Sequence, residues 1–196
     1  MKKILVSIII TYFKKKDFIE KTLKSLHNQS FKKYQVIFVY DDSDKKDLIY
    51  VKKLLLKFKN KKLIVNKKNL GVAQSRNIAM KHVKGKYTAF LDADDLWRKH
   101  KLKRQFEIML NKKKDLSYTS YHLIDKKGKK IGKRIISKET SYKKLIKKCE
   151  IGLSTVMIKS SILKKFKFPV LKTQEDFGLW LKLLRYNYKF YAINTI

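Results

Sequence analysis

Short apolar runs alternate along the chain with stretches whose apolar residues recur every three or four positions. The runs are continuous and rich in β-branched and aromatic residues, which is typical of strands buried on both faces. They lie at 5–11, 35–40, 63–66 and 87–92. The stretches with helical spacing lie at 17–28, 47–58, 72–83 and 98–111. This alternation, in units of roughly 25–30 residues, predicts βαβ crossovers and a mainly parallel central sheet of the α/β class.

The second half of the chain is patterned less regularly. Two apolar segments at 117–125 and 129–137 predict a hairpin that turns around residues 126–128. A further strand is predicted at 154–158 and a helix at 174–186. The sequence contains no internal repeat and no flexible linker, and 196 residues fit one domain. We therefore expect a single domain over residues 1–196.

The chain carries 50 Lys and Arg residues against 16 Asp and Glu residues, a formal net charge of +34. This excess suggests a polyanionic partner, either nucleic acid or an anionic membrane. Only five of the basic residues are arginine, however, and nucleic-acid readers rely on arginine for bidentate contacts. The lysines are spread over the whole chain, as a compositional bias would spread them. A nucleic-acid partner is therefore not expected, whereas peripheral contact with an anionic membrane stays open.

Cysteine usage and hydropathy indicate the compartment. Cys149 is the only cysteine, so the chain can form no internal disulfide. No apolar run reaches the roughly 18 residues that a membrane span needs. We expect a cytoplasmic protein in a reducing compartment, with any membrane contact at the inner face of the cell membrane.

The acidic residues are few and concentrated. Seven of the 16 fall into three groups, and the first two groups follow predicted strands. The groups are Asp41-Asp42, Asp92/Asp94/Asp95 and Glu175-Asp176. Ligands of open α/β sheets bind beyond the carboxyl ends of the strands, which makes these acids candidate site residues.

The segment LDADD at 91–95 holds three carboxylates within four residues. They repel one another unless a cation screens them, and Mg²⁺ or Mn²⁺ prefers oxygen ligands supplemented by substrate phosphates. This favours a metal that joins the protein to a diphosphate. The alternative is a solvated turn in which Asp95 caps the next helix.

Three more segments offer weaker signals. Asp41-Asp42 ends the second strand, where a carboxylate either accepts from a ligand N–H or stabilises a turn. The motif KNLGVAQSRN brings Gly71 to a helix start and Arg76 and Asn77 into its first two turns, which fits a nucleotide contact or an ordinary surface helix. Glu175-Asp176 opens the last helix, either because of the helix dipole alone or as a general base for an acceptor hydroxyl.

Taken in order, five segments resemble family-2 glycosyltransferases of the nucleotide-binding GT-A fold. They are VSIIITYF at 6–13, VIFVYDD at 36–42, KNLGVAQSRN at 68–77, FLDADDLW at 90–97 and TQEDFGLWLKLL at 173–184. The corresponding family patterns are VSIIIPxYN, VIVVDD, NxGxxxARN, FLDSDDxW with its DXD signature, and EDxxLWLRL. The resemblance extends from residue 5 to about residue 193.

The resemblance implies transfer of a sugar from a UDP- or dTDP-sugar to a hydroxyl of a cell-envelope glycan or lipid-linked acceptor. Inversion at the anomeric carbon is expected. The resemblance also implies a nucleotide-sugar-binding half up to about residue 111 and an acceptor and catalytic half over about 112–196.

On the nucleotide side, the resemblance implies that Thr11 and Tyr12 touch the base and that Asp41 accepts from the base N–H, with Asp42 as its rival. Three residues of the third motif are implied to lie at the nucleotide: Gly71, Arg76 and Asn77.

On the reaction side, the resemblance implies that Asp92 holds the ribose and that Asp94, together with Asp92, binds Mg²⁺ or Mn²⁺. Asp176 is implied to be the catalytic base and Glu175 its supporting neighbour.

The chain also departs from the family pattern. Thr11 replaces the usual proline, and no QxxRW motif follows the last helix, so a processive synthase is not expected. The chain ends where family members usually continue, so the acceptor site is expected to be incomplete or the chain a fragment. Two rival hypotheses stay open: a non-enzymatic polyanion binder, and a nucleotidylyltransferase, which would need a glycine-rich loop where TYFKKKDF has no glycine.

Overall fold

Within residues 3–136 and 140–194, which the computed structural model of the protein describes, the chain forms nine strands and seven helices. The strands are β1 Val6–Tyr12, β2 Tyr34–Tyr40, β3 Lys61–Val65, β4 Tyr87–Phe90, β5 Leu116–Thr119, β6 Tyr121–Ile124, β7 Lys130–Arg134, β8 Met157–Lys159 and β9 Tyr191–Ile193. The helices are α1 Lys16–His27, α2 Lys45–Leu55, α3 Val72–Met80, α4 Lys101–Asn111, α5 Tyr142–Lys147, α6 Ser160–Lys165 and α7 Glu175–Arg185.

Seven of these strands form one sheet in the order β3-β2-β1-β4-β8-β5-β9. Strand β1 is parallel to β2 and β4, β2 is parallel to β3, and β5 is parallel to β9. Only β8 runs antiparallel to its neighbours, β4 and β5. The mainly parallel sheet flanked by helices that the sequence predicts is therefore confirmed, with one reversed strand between its two parallel parts.

The carboxyl ends of the first three strands are level with one another. Tyr12 lies opposite Tyr40, and Tyr40 lies opposite Val65. The residues that follow these strands therefore emerge along one edge of the sheet, where ligands of such folds bind.

Both faces of the sheet are covered, which explains why the strand runs are continuous rather than alternating. Successive residues of β1 face opposite sides, so that Ile8 and Ile10 belong to one apolar core and Ile9 to the other. The first core contains residues of α1, α2 and α4, and the second contains residues of α3, α5, α6 and α7. The result is a three-layer α/β arrangement.

Several predicted elements differ from the structure in extent. The helix predicted at 98–111 begins at Lys101, and its N-cap is His100 without a side-chain hydrogen bond. The alternative in which Asp95 caps this helix is therefore wrong. In the predicted hairpin, residues Leu116–Thr119 join the main sheet, and only β6 and β7 pair with each other. Residue 137, the end of the predicted return strand, lies outside the described residues.

Three short elements have no counterpart in the prediction: α5, α6 and β9. Each has three to six residues, too few for a period to be recognised. In the described ranges, no helix is long and apolar enough to cross a membrane.

Gly85 is a position where the neighbouring backbone leaves no room for a side chain. It lies just before β4, and a Cβ atom placed on it would come within 2.6 Å of the Ser7 backbone nitrogen. The Gly85 amide also donates to the Ser7 hydroxyl at 2.9 Å. Close packing of this turn against β1 therefore requires glycine.

We expect Gly85→Ala to lower the free energy of unfolding by about 2 kcal/mol, because overpacking against backbone displaces β1. Urea unfolding measures this change. The control is Gly132→Ala, since a Cβ atom there meets only the Leu123 side chain, at 3.4 Å or more. Equal stability losses in the two variants would contradict the steric explanation.

Candidate active site

A cleft of about 1210 Å³ opens beside the end of β4. The acidic turn at 92–95 and the β6–β7 hairpin both contribute to its walls. Asp176 reaches the cleft from the start of α7. The volume exceeds the roughly 300–1,000 Å³ of ordinary small-molecule sites, so it can hold an extended ligand together with a second substrate.

The acidic turn presents Asp92, Asp94 and Asp95 to this cleft. Asp94 Oδ2 lies 2.6 Å from the ammonium of Lys15, which follows β1 and also lines the cleft. Because both side chains are more than one-third exposed, this ion pair can open without loss of the core. Sequence reasoning missed Lys15, since one lysine among 45 carries no signal.

Ser154 is a second residue that the sequence did not indicate. Its hydroxyl accepts from the Asp92 amide at 3.0 Å, and its carbonyl accepts from Trp97 Nε1 at 2.8 Å. Ser154, just before β8, thus holds the acidic turn in place through these two hydrogen bonds. It lies more than 50 residues away in sequence, in a segment without a recognisable motif.

Arg76 joins the acidic turn to the last helix. Its guanidinium lies 2.8 Å from Asp92 Oδ1 and also contacts the Glu175 carboxylate. The side chain is buried, and its guanidinium carbon lies 5.4 Å from the Phe168 ring centroid. The structure therefore gives Arg76 and Glu175 a structural bond to each other, whereas the predicted contact of Arg76 with a nucleotide stays a prediction.

Asp176 has the environment of a carboxylate that is easier to protonate than usual. Burial raises its pKa, and the neighbouring charges of Glu175 and Asp92 raise it further. The backbone N–H of Phe177, which donates to Asp176 Oδ1 at 2.7 Å, and the charge of Arg76 act in the opposite direction. A raised pKa makes a carboxylate a better proton acceptor while it remains ionised near neutral pH.

Burial likewise raises the pKa of Asp92, and Arg76 opposes this shift. The charges of Asp94 and Glu175 add to it. Crowded carboxylates of this kind gain from a cation placed between them. The acidic turn is therefore suited chemically to a divalent ion.

A buried amine lies in the same cleft. Lys101 Nζ lies 3.9 Å from the centroid of the Trp97 ring, and burial lowers the pKa of Lys101 to about 7. The cleft wall therefore holds a cation whose charge is only partly retained at neutral pH.

The predicted base-binding residues form a second group at the ends of β1 and β2. Asp41 accepts at one oxygen from Asn66 Nδ2 at 2.7 Å and the Leu70 amide at 2.9 Å. Its other oxygen accepts from the Gly71 amide at 2.9 Å. Asp41 thus holds the loop that leads into α3, and Gly71 makes this approach with a φ of +83°, which favours glycine.

Asp42 makes a different set of contacts. One of its oxygens accepts from the Lys14 amide at 2.9 Å, and the other accepts from the Ser43 amide at 2.7 Å. Asp42 therefore holds the loop that follows β1. Both aspartates are engaged by the protein, so the choice between them as the reader of the base stays a prediction.

Tyr12 and Asn77 are also committed to protein contacts. The Tyr12 hydroxyl donates to Asp47 Oδ2 at 2.7 Å, and its ring stacks on Tyr40. Asn77 donates to the Phe168 carbonyl and accepts from the Phe168 amide, both at 2.9 Å.

The structure thus brings three of the predicted residues together in the cleft: Asp92, Asp94 and Asp176. It connects Arg76 and Glu175 to them through ion pairs. The remaining predicted residues lie outside the cleft lining: Thr11, Tyr12, Asp41, Asp42, Gly71 and Asn77.

The mainly parallel sheet thus carries an acidic turn after β4, and the acidic start of α7 contributes Asp176 to the same cleft. The family model for glycosyl transferase family 2 matches residues 7–169. The chain therefore belongs to glycosyltransferase family 2, which decides between the hypotheses of the sequence analysis in favour of a glycosyltransferase.

Two curated relatives illustrate the similarity. The chain is 33% identical over 183 residues to the UDP-Glc:alpha-D-GlcNAc-diphosphoundecaprenol beta-1,3-glucosyltransferase WfgD of Escherichia coli, covering 93% of this chain and 71% of that protein. It is 33% identical over 196 residues to the putative teichuronic acid biosynthesis glycosyltransferase TuaG of Bacillus subtilis, covering 98% and 77%.

Solved structures support the GT-A fold. S. aureus TarS residues 1–349 in complex with UDP-GlcNAc matches with a TM-score of 0.81 at 23% identity, covering 98% of this chain and 57% of that chain. The mannosyltransferase PcManGT of Pyrobaculum calidifontis in complex with GDP-Man and Mn²⁺ matches with a TM-score of 0.74 at 15% identity, covering 98% and 55%. The chain thus spans somewhat more than half of the length of these structures.

We expect Arg76→Met to lower the free energy of unfolding by about 3 kcal/mol, because it leaves Glu175 buried without its partner. Urea unfolding measures the loss. Arg104→Met, which alters an exposed arginine on α4, should change stability by no more than about 0.5 kcal/mol.

The double variant Arg76→Met/Glu175→Gln should lose less than the sum of the two single variants, because both partners of the ion pair are then absent. Strict additivity of the single changes would contradict the bond between Arg76 and Glu175.

Proposed function

We propose that the chain transfers a sugar from a nucleotide-diphospho-sugar to a hydroxyl group of a cell-envelope glycan or lipid-linked acceptor. The observation that carries this proposal is the cleft in which Asp94 and Asp176 face one space from separate walls. In the proposed reaction, Asp94 holds the cation at the leaving diphosphate, and Asp176 accepts the proton of the attacking hydroxyl.

The names of the relatives support the classes of donor and acceptor. WfgD is named for UDP-Glc as donor and for a diphosphoundecaprenol-linked acceptor, and TuaG for teichuronic acid biosynthesis. We propose a UDP-sugar as the donor of this chain, with a dTDP-sugar as the alternative. Nucleic acid is not part of the proposal.

A divalent cation, Mg²⁺ or Mn²⁺, fits the acidic turn when the donor completes its ligands. In the described part of the chain, no three His, Cys, Asp or Glu side chains are grouped to hold a metal by themselves. Such cations are often bound by only one or two carboxylates plus substrate phosphates, which Asp94 and Asp92 can supply. When bound, the cation would neutralise charge on the leaving diphosphate.

Lys15 is the residue that must yield to this ion. The Lys15 ammonium lies 2.6 Å from Asp94 Oδ2, and this ion pair is exposed enough to separate. Once displaced, Lys15 remains on the cleft wall, where its charge can attract the donor phosphates.

Asp176 acts in the proposed reaction as the general base. The acceptor hydroxyl gives its proton to the Asp176 carboxylate while its oxygen bonds to the anomeric carbon. The bond from that carbon to the diphosphate oxygen breaks, and the electron pair leaves with the diphosphate. Attack from the face opposite the leaving group inverts the configuration.

The nucleotide itself is proposed to extend toward the second group of residues. Thr11, Asp41 or Asp42, and Gly71 line the edge at which β1 and β2 end. In this proposal Asp41 also positions the wall of the nucleotide site, because its three hydrogen bonds hold the loop that forms this wall.

We expect Asp94→Ala to abolish the Mn²⁺-dependent part of the thermal stabilisation by UDP-glucose or UDP-GlcNAc, because the cation loses its protein ligand. Saturating donor should stabilise the parent protein by about 2.7 kcal/mol at 100 times its dissociation constant. Asp115→Ala is a matched control, since Asp115 also pairs with an exposed lysine, Lys159 at 3.1 Å, outside the cleft. Unchanged UDP affinity in Asp94→Ala by calorimetry would remove the metal assignment.

We expect Asp176→Asn to keep the donor-induced thermal shift and to lower the rate of sugar transfer about 10²- to 10⁴-fold, because the general base is absent. Asp17→Asn, in the first turn of α1, changes an acid at the same helical position that does not itself line the cleft, and it should leave the rate unchanged.

Because the pKa of Asp176 is raised, protonation should depress the transfer rate at a pH above the ordinary aspartate value of about 3.9. A transfer rate retained in Asp176→Asn would show that another group takes the proton.

A further inference from the structure

The β6–β7 hairpin is a wall of the cleft that the proposed chemistry does not use. It forms a two-stranded sheet of its own, separate from the seven-stranded sheet. All four residues of β6 line the cleft, as do Lys126 in the turn and Lys130 at the start of β7, whereas Ile131, Lys133 and Ile135 on the return strand lie outside its lining. An isolated two-stranded sheet is only marginally stable in water. The side of the hairpin that carries Ile131, Lys133 and Ile135, called here the uncovered side, therefore gains stability when a partner covers it.

This uncovered side carries two large apolar side chains that are exposed to solvent. Ile131 is 67% exposed and Ile135 is 55% exposed, and the exposed Lys133 lies between them. Ile136, the next residue, is buried, so the chain re-enters the core there. The exposed isoleucines are thus held in place by the fold rather than carried on a free end.

The same hairpin is strongly basic. Residues 121–136 contain six Lys and Arg residues and one acid, Asp125. Asp125 accepts from the amides of Lys127 and Lys129 at 2.9 and 2.8 Å, so its charge is directed into the turn. His122 lies within this positive field. Desolvation lowers its pKa, and the nearby charges of Lys130 and Arg98 lower it further.

We propose that this hairpin surface, defined as Ile131, Lys133, Ile135 and the turn lysines Lys126, Lys127 and Lys129, docks on an anionic lipid bilayer. Lysines attract the anionic headgroups, and exposed isoleucines enter the interface between headgroups and acyl chains. A bilayer fits better than a nucleic acid, which would offer nothing to the apolar side chains.

Docking would set the position of the cleft relative to the bilayer surface. Lys126 in the hairpin turn and Lys130 at the start of β7 also line the cleft, so the cleft rim lies at the headgroups when the turn does. A lipid-linked acceptor, as proposed above, would then hold its hydroxyl near the cleft. This purpose rests on the proposed function, whereas the docking itself does not.

The test uses the full chain and sedimentation with vesicles of phosphatidylglycerol and phosphatidylcholine at about 0.15 M salt. The parent protein should pellet with the anionic vesicles and not with vesicles of phosphatidylcholine alone. Lys127→Gln/Lys129→Gln/Lys133→Gln should lower the partition coefficient about 100-fold, since each lysine near the surface contributes about fivefold. Ile131→Ser/Ile135→Ser should lower it about tenfold.

Helix α2 and the residues just after it supply matched controls. Ile49 and Leu56 are 67% and 72% exposed, and Lys52, Lys53 and Lys57 are exposed beside them, away from the cleft. Ile49→Ser/Leu56→Ser and Lys52→Gln/Lys53→Gln/Lys57→Gln change the same chemistry and the same net charge. They should keep most of the vesicle binding.

Three results would overturn the proposal. The first is a parent protein that does not prefer anionic vesicles. The second is an equal loss in the α2 controls, which would mean that the net charge alone causes binding. The third is self-association without lipid that the Ile131→Ser/Ile135→Ser change abolishes, which would make the surface a contact between copies of the chain.

A separate measurement distinguishes this proposal from the proposed function. The thermal shift with UDP-glucose and Mn²⁺ is recorded without vesicles for the parent and the hairpin variants. A normal shift in hairpin variants that have lost vesicle binding supports both proposals. No shift with any nucleotide sugar in a parent that still docks through the hairpin would refute the sugar transfer and leave the docking intact.

Discussion

The contact on which the cleft depends most is the bond between Arg76 and two carboxylates. Arg76 lies on α3, Asp92 follows β4, and Glu175 begins α7, 99 residues away from Arg76 in sequence. Buried ion pairs add little net stability compared with apolar packing, but their geometry is strict, and breaking one side is costly. The bond therefore sets the distance between the acidic turn and the start of α7, and with it the distance from Asp94 to Asp176.

The acids of this basic chain divide into two kinds by what satisfies them. Asp41, Asp42 and Glu175 accept hydrogen bonds or ion pairs within the protein and hold loops and helices in place. Asp94, Asp95 and Asp176 face the cleft. A buried carboxylate without a partner is expensive, which explains why Asp41, Asp42 and Glu175 are paired inside the protein. At the cleft, the ion pair of Asp94 with Lys15 is exposed, so that a ligand can replace it.

The sequence was sufficient for the mainly parallel sheet and for recognising the acidic groups that line the cleft. Continuous β-branched runs and helical spacing predicted the first four strands and their helices, since burial on both faces leaves a strong pattern. The acidic groups after β4 and before α7 were also recognisable. The contacts of Lys15 and Ser154 were not, because they depend on the approach of segments far apart in the chain. Nor did the motif of Arg76 indicate that its side chain would be enclosed by carboxylates rather than by solvent.

The order of strands in the sheet has a consequence for how the molecule is made. The adjacent strands β3, β2, β1 and β4 all come from residues 6–90, so this part of the sheet can pair as soon as that length of chain has been synthesised. Strand β5 must wait for β8 and β9, which come 40 to 75 residues later. These pairings close long loops and are intrinsically slower. During synthesis, the exposed edge of β4 is therefore the surface most in need of protection from premature association.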